Sequence, residues 1–228
     1  EVSGLDYLIY DPVEGLRIGA MAKLAQVVDS DIVRTNYPAL WQSACVNGTP
    51  QTRNKATVVG NILRASPAGD CCAAVLALGG TVILQGTAGK REVNIDNFWT
   101  GYRQTARQAF EFAVEFKIPA KVGKSAFKRM TRSDQDLSKL NAAVSLDMAG
   151  NVCQGARLAM GCVAPTLVRM KKAEEIIKGK EITEAVLKDV EAAVKADVTP
   201  IDDVRSSAWY RKEVAGVLVK RTIEKALA

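Results

Sequence analysis

Short apolar runs and helical stripes follow one another through the first half of the chain. Residues 5–10 and 15–21 are apolar runs on either side of the turn-forming sequence Asp-Pro-Val-Glu-Gly, which predicts two strands joined by a turn. Two helical stripes follow, and the second begins at Pro38 and ends at Asn47-Gly48. The start of the chain is therefore predicted to be a strand pair followed by helices.

One more helix and three more strands are predicted before the middle of the chain. The helix begins near Pro67, has its apolar face over residues 71–78 and ends at Gly79-Gly80. Beyond it, apolar and β-branched residues between turn signals predict strands at residues 81–84, 91–95 and 111–118.

The second half has a different pattern, with long alternating segments before the helices. Apolar residues alternate strictly over residues 140–148 and again over 156–160, which predicts a half-buried antiparallel hairpin. Three amphipathic helices follow, with apolar stripes at residues 170–177, at 186–194 and from 210 onward. A sheet with helices on one side buries such stripes, so this half is predicted to be α+β. We place the boundary at Pro119, between a first domain, 1–119, and a second domain, 120–228.

Composition places the chain among ordinary globular proteins and excludes several classes of function. Of its 228 residues, 48% are hydrophobic and 25% charged, and no apolar run is long enough to span a bilayer. We therefore expect no membrane span and a cytoplasmic location. The net charge of +6 comes from scattered basic residues that are not interleaved with aromatic ones, which argues against nucleic-acid binding.

Histidine and cysteine usage narrows the chemistry further. The chain has no histidine, which excludes imidazole-based triads and zinc motifs, so no catalytic or metal-binding residue is predicted. Its five cysteines lack C-x-x-C spacing and are predicted to be buried free thiols, with neither a disulfide framework nor an iron–sulfur cluster. Redox chemistry would then require a bound cofactor, for which the protein supplies binding and orientation.

The segment from Gln51 to Asp70 is the best candidate for a cofactor site. Gly60 lets a backbone approach a phosphorylated cofactor closely, Asn61 offers an amide, and the Asp70 carboxylate suits a pair of ribose hydroxyls. The residues alone leave a second interpretation open, in which Gly60 makes a packing bend and Asp70 caps the following helix. A G-x-G-x-x-G fingerprint is absent, so a Rossmann fold is not predicted.

This segment, QTRNKATVVGNILRASPAGD, resembles the second flavin-binding segment of the FAD-binding subunits of molybdenum hydroxylases, the family of xanthine dehydrogenase and aerobic carbon monoxide dehydrogenase. Three weaker similarities follow in the family's order: GLRIGA at residues 15–20, SAFK at 125–128 with a polar stretch at 132–136, and VRSSAWYR at 204–211. Together they cover nearly the whole chain.

The resemblance implies an α+β fold, cofactors and partners. The first domain would be the second half of a two-part FAD-binding domain of the vanillyl-alcohol-oxidase type, and the second a smaller antiparallel sheet with helices. FAD would be bound by this chain, and a molybdenum cofactor and [2Fe-2S] clusters by a large and a small partner subunit. Such heterotrimers can pair into a dimer. The family's first flavin-binding loop lies before Glu1, so we expect the natural polypeptide to be longer.

The resemblance also assigns roles to individual residues. Thr57, Gly60 and Asn61 would line the flavin and its diphosphate. Ser66 and Asp70 would hold the adenosine end, and Lys128 would approach the flavin from the second domain. The implied cofactor-binding residues are Thr57, Val58, Gly60, Asn61, Ser66, Asp70 and Lys128.

The implied function is that of an electron-transfer subunit, which passes electrons from the iron–sulfur clusters through FAD to NAD, a quinone or oxygen. Val59 stands where relatives carry the first of two adjacent glycines, and the chain as given lacks the family's first flavin-binding loop. Together these motivate an alternative, a flavin-free subunit that serves only assembly. A stand-alone flavin reductase is a third possibility, against which the segment SSAWYR argues.

Overall fold

Each half of the chain builds one antiparallel sheet in the computed structural model, which describes residues 2–228. The first sheet has the strand order β1-β2-β7-β3-β4, and a separate two-stranded ribbon is formed by β5 and β6. The strands of this sheet and of the ribbon are β1 (Leu8–Asp11), β2 (Gly15–Gly19), β3 (Thr81–Gly86), β4 (Gly89–Asn94), β5 (Trp99–Gly101), β6 (Gln104–Thr105) and β7 (Phe112–Ile118).

Within the described residues, six α-helices and a short 3-10 helix (Ile95–Asn97) accompany this sheet. The α-helices are α1 (Leu24–Asp29), α2 (Asp31–Asn36), α3 (Pro38–Cys45), α4 (Pro50–Arg53), α5 (Val58–Arg64) and α6 (Asp70–Leu78). Pro38 occupies the first turn of α3, where its missing N–H costs nothing. The predicted strand pair, the helix after Pro38 and the helix ending at Gly79 are all present.

Helix α6 lies at the centre of the molecule, and all nine of its residues are buried. It contacts α3 and α5 from its own half and two strands of the other half, β9 (Leu140–Ala149) and β10 (Val152–Gly161). The small side chains of Ala73, Ala74 and Ala77 let these elements approach the helix closely. The first sheet and the facing side of the second sheet therefore share one apolar core with α6.

The second half forms a sheet with the order β11-β10-β9-β8, to which β12 adds beside β10. Its elements are β8 (Lys124–Met130), β9 (Leu140–Ala149), β10 (Val152–Gly161), β11 (Val168–Arg169), α7 (Lys171–Ile177), β12 (Lys180–Glu181), α8 (Glu184–Asp197) and α9 (Ala208–Leu227). The predicted hairpin is the β9–β10 pair, in which Val144 opposes Leu158. Strand β8 was not predicted from the apolar pattern.

This second sheet has two covered faces. One face packs on α3 and α6, and the other packs on α7 and α9 with a second apolar core between them. Side chains on β8 alternate accordingly: Ala126 belongs to the core under α9, and Phe127 to the core around α6. The expected α+β class is confirmed, with a first sheet and its short helices followed by a second sheet covered by helices.

Helices long and apolar enough for a membrane span, and clusters of metal-ligating side chains, are both absent from residues 2–228. None of the helices within residues 2–228 combines the length and apolarity needed to cross a bilayer. The same part of the chain contains no group of cysteine and acidic side chains arranged to hold a metal ion.

Candidate functional site

Thr57 opens helix α5 and sets the geometry of the glycine turn. Its hydroxyl oxygen accepts a hydrogen bond from the Gly60 N–H at 2.9 Å, which makes Thr57 the N-cap. Val58 and Val59 point into the apolar core, whereas Gly60 is exposed. A Cβ atom at Gly60 would meet only the Thr57 hydroxyl, so the outer side of this turn is open to a ligand.

A tight loop, residues 66–69, connects α5 to α6. Helix α5 ends at Ala65 in the left-handed conformation, with φ +49°. The Ser66 hydroxyl then accepts a hydrogen bond from the Ala68 N–H at 3.3 Å, and the Ser66 carbonyl accepts one from the Gly69 N–H at 2.9 Å. Asn61 lies beside this loop, because a Cβ at Gly69 would come within 3.1 Å of its Oδ1. Asn61 and Ser66 are thus brought together.

Asp70 is buried and already has three hydrogen-bond donors. Ser138 Oγ and Asn141 Nδ2 donate to Oδ1 at 2.6 and 2.8 Å, and Arg129 Nη1 donates to Oδ2 at 2.9 Å. Burial raises the pKa of Asp70, while these three donors and the guanidinium charge act in the opposite direction. Helix α6 begins with Asp70 as its first helical residue, and Gly69 is the N-cap of the helix. The alternative in which Asp70 caps the helix is therefore wrong. Contact between Asp70 and ribose hydroxyls stays a prediction. The three donors that already engage the carboxylate do not favour it.

Lys128 lies apart from the other candidate residues. It is on edge strand β8 opposite Ala142, and it lines a small groove with Val214, Val217 and Arg221 of helix α9. The neighbouring residue Arg129 points to the other face of the sheet, where it meets Asp70. Strand alternation therefore separates Lys128 from the loop at Ser66, and its approach to a flavin stays a prediction without a supporting contact.

A cleft of about 610 Å³ opens beside this loop. Three of the segments that carry the family resemblance meet in it, together with the β5–β6 turn. Its lining residues are Ser66, Pro67, Ala68, Tyr102, Arg103, Arg132, Asp136, Leu137, Lys139, Asp203, Val204 and Arg205.

The cleft carries a surplus of two positive charges, because four cationic side chains face two acidic ones. Arg132 pairs with Asp136, and Arg205 pairs with Asp203. Within residues 2–228, Arg103 and Lys139 have no carboxylate partner and lie instead against the rings of Tyr102 and Tyr210. Such a surface suits an anionic ligand such as a diphosphate.

Asp203 organises the far wall of the cleft. Partial burial of its carboxyl is outweighed by hydrogen bonds from Arg211 and Arg205, which hold the pKa of Asp203 well below its usual range. Arg211 itself is almost fully buried and also donates to the Ile201 carbonyl. The segment VRSSAWYR thus contributes a fixed wall, since its two arginines hold the loop before α9.

Sequence reasoning missed Arg103 and Arg129. Arg103 occupies the β5–β6 turn with φ +54°, and nothing in the apolar pattern marks that short two-stranded ribbon. Arg129 could have been found from period-two alternation, because it lies on the same side of β8 as the buried Phe127. The segment SAFK ends at Lys128, one residue before Arg129, which is the residue that contacts Asp70.

The comparisons with known proteins agree with this arrangement. The model of the FAD binding domain in molybdopterin dehydrogenase matches residues 1–121, and that of the CO dehydrogenase flavoprotein C-terminal domain matches residues 125–226. The chain belongs to the FAD-binding subunits of the molybdenum hydroxylases. The resemblance predicted from the segment QTRNKATVVGNILRASPAGD is thereby confirmed.

Relatives of this FAD-binding subunit are medium chains of oxidoreductases. The carbon monoxide dehydrogenase medium chain of Hydrogenophaga pseudoflava is 31% identical, over 92% of this chain and 74% of that relative. The glyceraldehyde dehydrogenase medium chain of Sulfolobus acidocaldarius is 29% identical, over 93% of this chain and 76% of the relative. The family of this chain is thus one of oxidoreductase components.

Solved structures of the family have the same fold as this FAD-binding subunit. The carbon monoxide dehydrogenase of Hydrogenophaga pseudoflava, in a form lacking the Mo-pyranopterin moiety of its molybdenum cofactor, superposes with a TM-score of 0.93 at 30% identity. The match covers 98% of this chain and 78% of that one. The chain therefore has the fold of these structures along nearly its whole length.

Proposed function

We propose that this chain carries FAD as the electron-transfer subunit of a molybdenum hydroxylase complex. It would receive electrons from iron–sulfur clusters on a small partner subunit and pass them to an acceptor such as NAD, a quinone or oxygen. A large partner subunit with a molybdenum cofactor would oxidise the substrate. The proposal is carried by one observation, the positively charged cleft beside loop 66–69 in a chain of this family.

The residues of this chain fit an extended dinucleotide. The Thr57 cap holds Gly60 so that its backbone faces an open side of the turn. Val58 packs in the core beneath the turn, and Asn61 follows Gly60 in the same helix. Ser66 joins this turn to the cleft, where Arg103 and Lys139 are available for an anionic group. In this proposal residues 1–119 hold the cofactor, and residues 120–228 close the cleft.

Bound FAD would supply the redox chemistry, since a flavin takes electrons one at a time and can release them as a pair. The chain's own contribution is to bind and orient that group and to limit water access. Without histidine, and with the acidic groups of the cleft engaged by arginines, this chain offers no free base in the cleft. Substrate oxidation accordingly belongs to a partner subunit.

The alternative of a flavin-free assembly subunit rested on Val59. The Val59 side chain is 1% exposed and packs in the core, on the side of α5 away from the open turn. It therefore does not fill the space beside Gly60, and the alternative loses its steric argument. We retain it as the second candidate because assembly with the same partners does not require the cofactor.

The test is to purify the full polypeptide with its partner subunits and measure flavin absorbance and noncovalent FAD per chain. Roughly one FAD per copy of this chain supports the proposal, and a complete complex without FAD rejects it in favour of the assembly role. Changing Arg103 and Lys139 to glutamine should weaken FAD binding about tenfold, which equals ~1.4 kcal/mol. Lys188→Gln, an exposed change on α8, serves as the control.

Pairing of two heterotrimers and a cytoplasmic location remain predictions of the same proposal.

A further inference from the structure

The loop at residues 66–69 is held from outside by the second domain. Asp70, directly after the loop, accepts hydrogen bonds from Arg129 on β8, Asn141 on β9 and Ser138 just before β9. The Arg129 and Asp70 side chains are only 10% and 7% exposed. Burying a charged pair is costly unless its geometry is good and its remaining hydrogen bonds are made. Three donors on one carboxylate meet that condition.

A second contact holds the same loop from the end of β10. The Cys162 N–H donates to the Pro67 carbonyl at 2.9 Å, and the Cys162 thiol lies 3.2 Å from the Ser138 carbonyl. Gly161 has to be glycine here, because a Cβ would lie 2.4 Å from the Pro67 carbonyl oxygen. The second sheet thus contacts the loop at two separate points.

Contacts within the loop are few by comparison. The Ser66 hydroxyl and carbonyl accept the Ala68 and Gly69 N–H groups. From the rest of the first domain, the Ala73 N–H donates to the Gly69 carbonyl, and the Arg103 N–H donates to the Ala65 carbonyl just before the loop. This loop lines the cleft with Ser66, Pro67 and Ala68. Its conformation therefore depends on groups that belong to a different domain.

We propose that Asp70 is a positioning residue, through which Arg129, Ser138 and Asn141 fix loop 66–69 for the cofactor, so that FAD affinity depends on docking of the second domain. This inference rests on the proposed function, because it concerns the same cleft. It departs from a direct role of Asp70 at the ribose, since a hydroxyl would have to displace Arg129 from a buried carboxylate.

The test compares two arginines that both cross the domain boundary at opposite ends of α6. Arg129→Met breaks the contact with Asp70, and Arg157→Met breaks a contact with Asp96 far from the loop. In the complex, FAD dissociation is measured by flavin fluorescence, and unfolding by urea. We expect Arg129→Met to raise the Kd for FAD at least tenfold and Arg157→Met less than threefold, with similar losses of stability.

Two outcomes would overturn the proposal. Equal weakening of FAD binding by both variants would reduce Arg129 to a general structural contact. Unchanged or tighter binding in Arg129→Met would show that a freed Asp70 carboxylate ligates the cofactor directly. Arg129→Lys, which keeps the charge, should give an intermediate Kd and also serves if the methionine variant folds poorly.

A separate readout distinguishes failure of this inference from failure of the proposed function. Hydrogen exchange of the Ala68 and Gly69 amides reports the loop without any cofactor. These amides should exchange at least tenfold faster in Arg129→Met and remain near wild type in Arg157→Met. If the wild-type complex holds no FAD, faster exchange still supports positioning of the loop, and unchanged exchange refutes it.

Discussion

Arg157 on β10 reaches Asp96 across the domain boundary, with its Nη2 atom 2.9 Å from Asp96 Oδ1 and 3.0 Å from Oδ2. The same guanidinium donates to the carbonyls of Leu76 and Ala77 in the last turn of α6. Those carbonyls have no partner within the helix, and a cation there also opposes the negative end of the helix dipole. The Arg157 side chain therefore binds the C-terminal end of α6 in the first domain and joins it to the sheet of the second domain.

Arg157→Met should destabilise the chain by about 2 kcal/mol, since hydrogen bonds to charged groups contribute ~1.5–3 kcal/mol. Urea unfolding measures the change. Arg34→Ala removes an exposed pair with Asp31 and should change stability by less than about 0.5 kcal/mol. Equal effects of the two substitutions would contradict the role given to Arg157.

The loop before β7 should show acid-dependent stability through Glu111. Its carboxylate accepts hydrogen bonds from Arg91 and from the Gln108 N–H, which lower the pKa of Glu111 to about 2. A pKa lowered in the folded state contributes stability above the unfolded value near 4.5 and loses it as pH falls toward 2. Glu111→Gln should be less stable than wild type at pH 7, with the difference closing by pH 2. A constant difference across that range would refute the assignment.

Gly60→Ala should impair cofactor binding more than folding. A Cβ there projects from the open side of α5 and meets only Thr57 Oγ1 at 2.9 Å. The gain in helix propensity, about 1 kcal/mol, offsets strain at the cap, so stability should change by less than ~1 kcal/mol. We expect the Kd for FAD to rise at least tenfold. Gly155→Ala, whose Cβ meets no atom within 4 Å, should leave both quantities unchanged.

The thiols should react in a defined order. All five cysteines are free, and Cys45 alone among them is partly exposed. Burial raises the pKa of Cys71 and of Cys162 to about 12, which leaves little thiolate at pH 8. A disulfide reagent should therefore modify Cys45 first and the other four only on unfolding. Cys45→Ser should remove the early phase, and an early phase that survives would contradict this order.

Local patterns in the sequence predicted most of the fold. Alternation over residues 140–148 and 156–160 identified the central hairpin, because one face of each strand is buried under helices. Strand β8 was not predicted because both of its faces are covered. Its apolar residues Ala126 and Phe127 are therefore adjacent and do not alternate with polar ones. The prediction of buried free thiols followed from the odd number and spacing of the cysteines. All five are free and four are buried, but Cys45 is partly exposed.

The site was harder to predict because its contacts join distant parts of the chain. The turn at Thr57 and Gly60 is local and could be recognised from a capping residue and a glycine. The environment of Asp70 depends on Ser138 and Asn141, 68 and 71 residues away, and no local pattern indicates that they will meet. A carboxylate that looked free to bind a ligand is therefore engaged by the protein.

The complete burial of α6 bears on how this polypeptide can be divided. A fragment ending at Pro119 would expose to water the side of α6 that rests on β9 and β10, and the remaining fragment would expose Phe127, Ala143 and Ala159. Neither piece would be a self-sufficient folding unit. Gene fusions or domain exchanges that succeed in this family should accordingly move the two halves together.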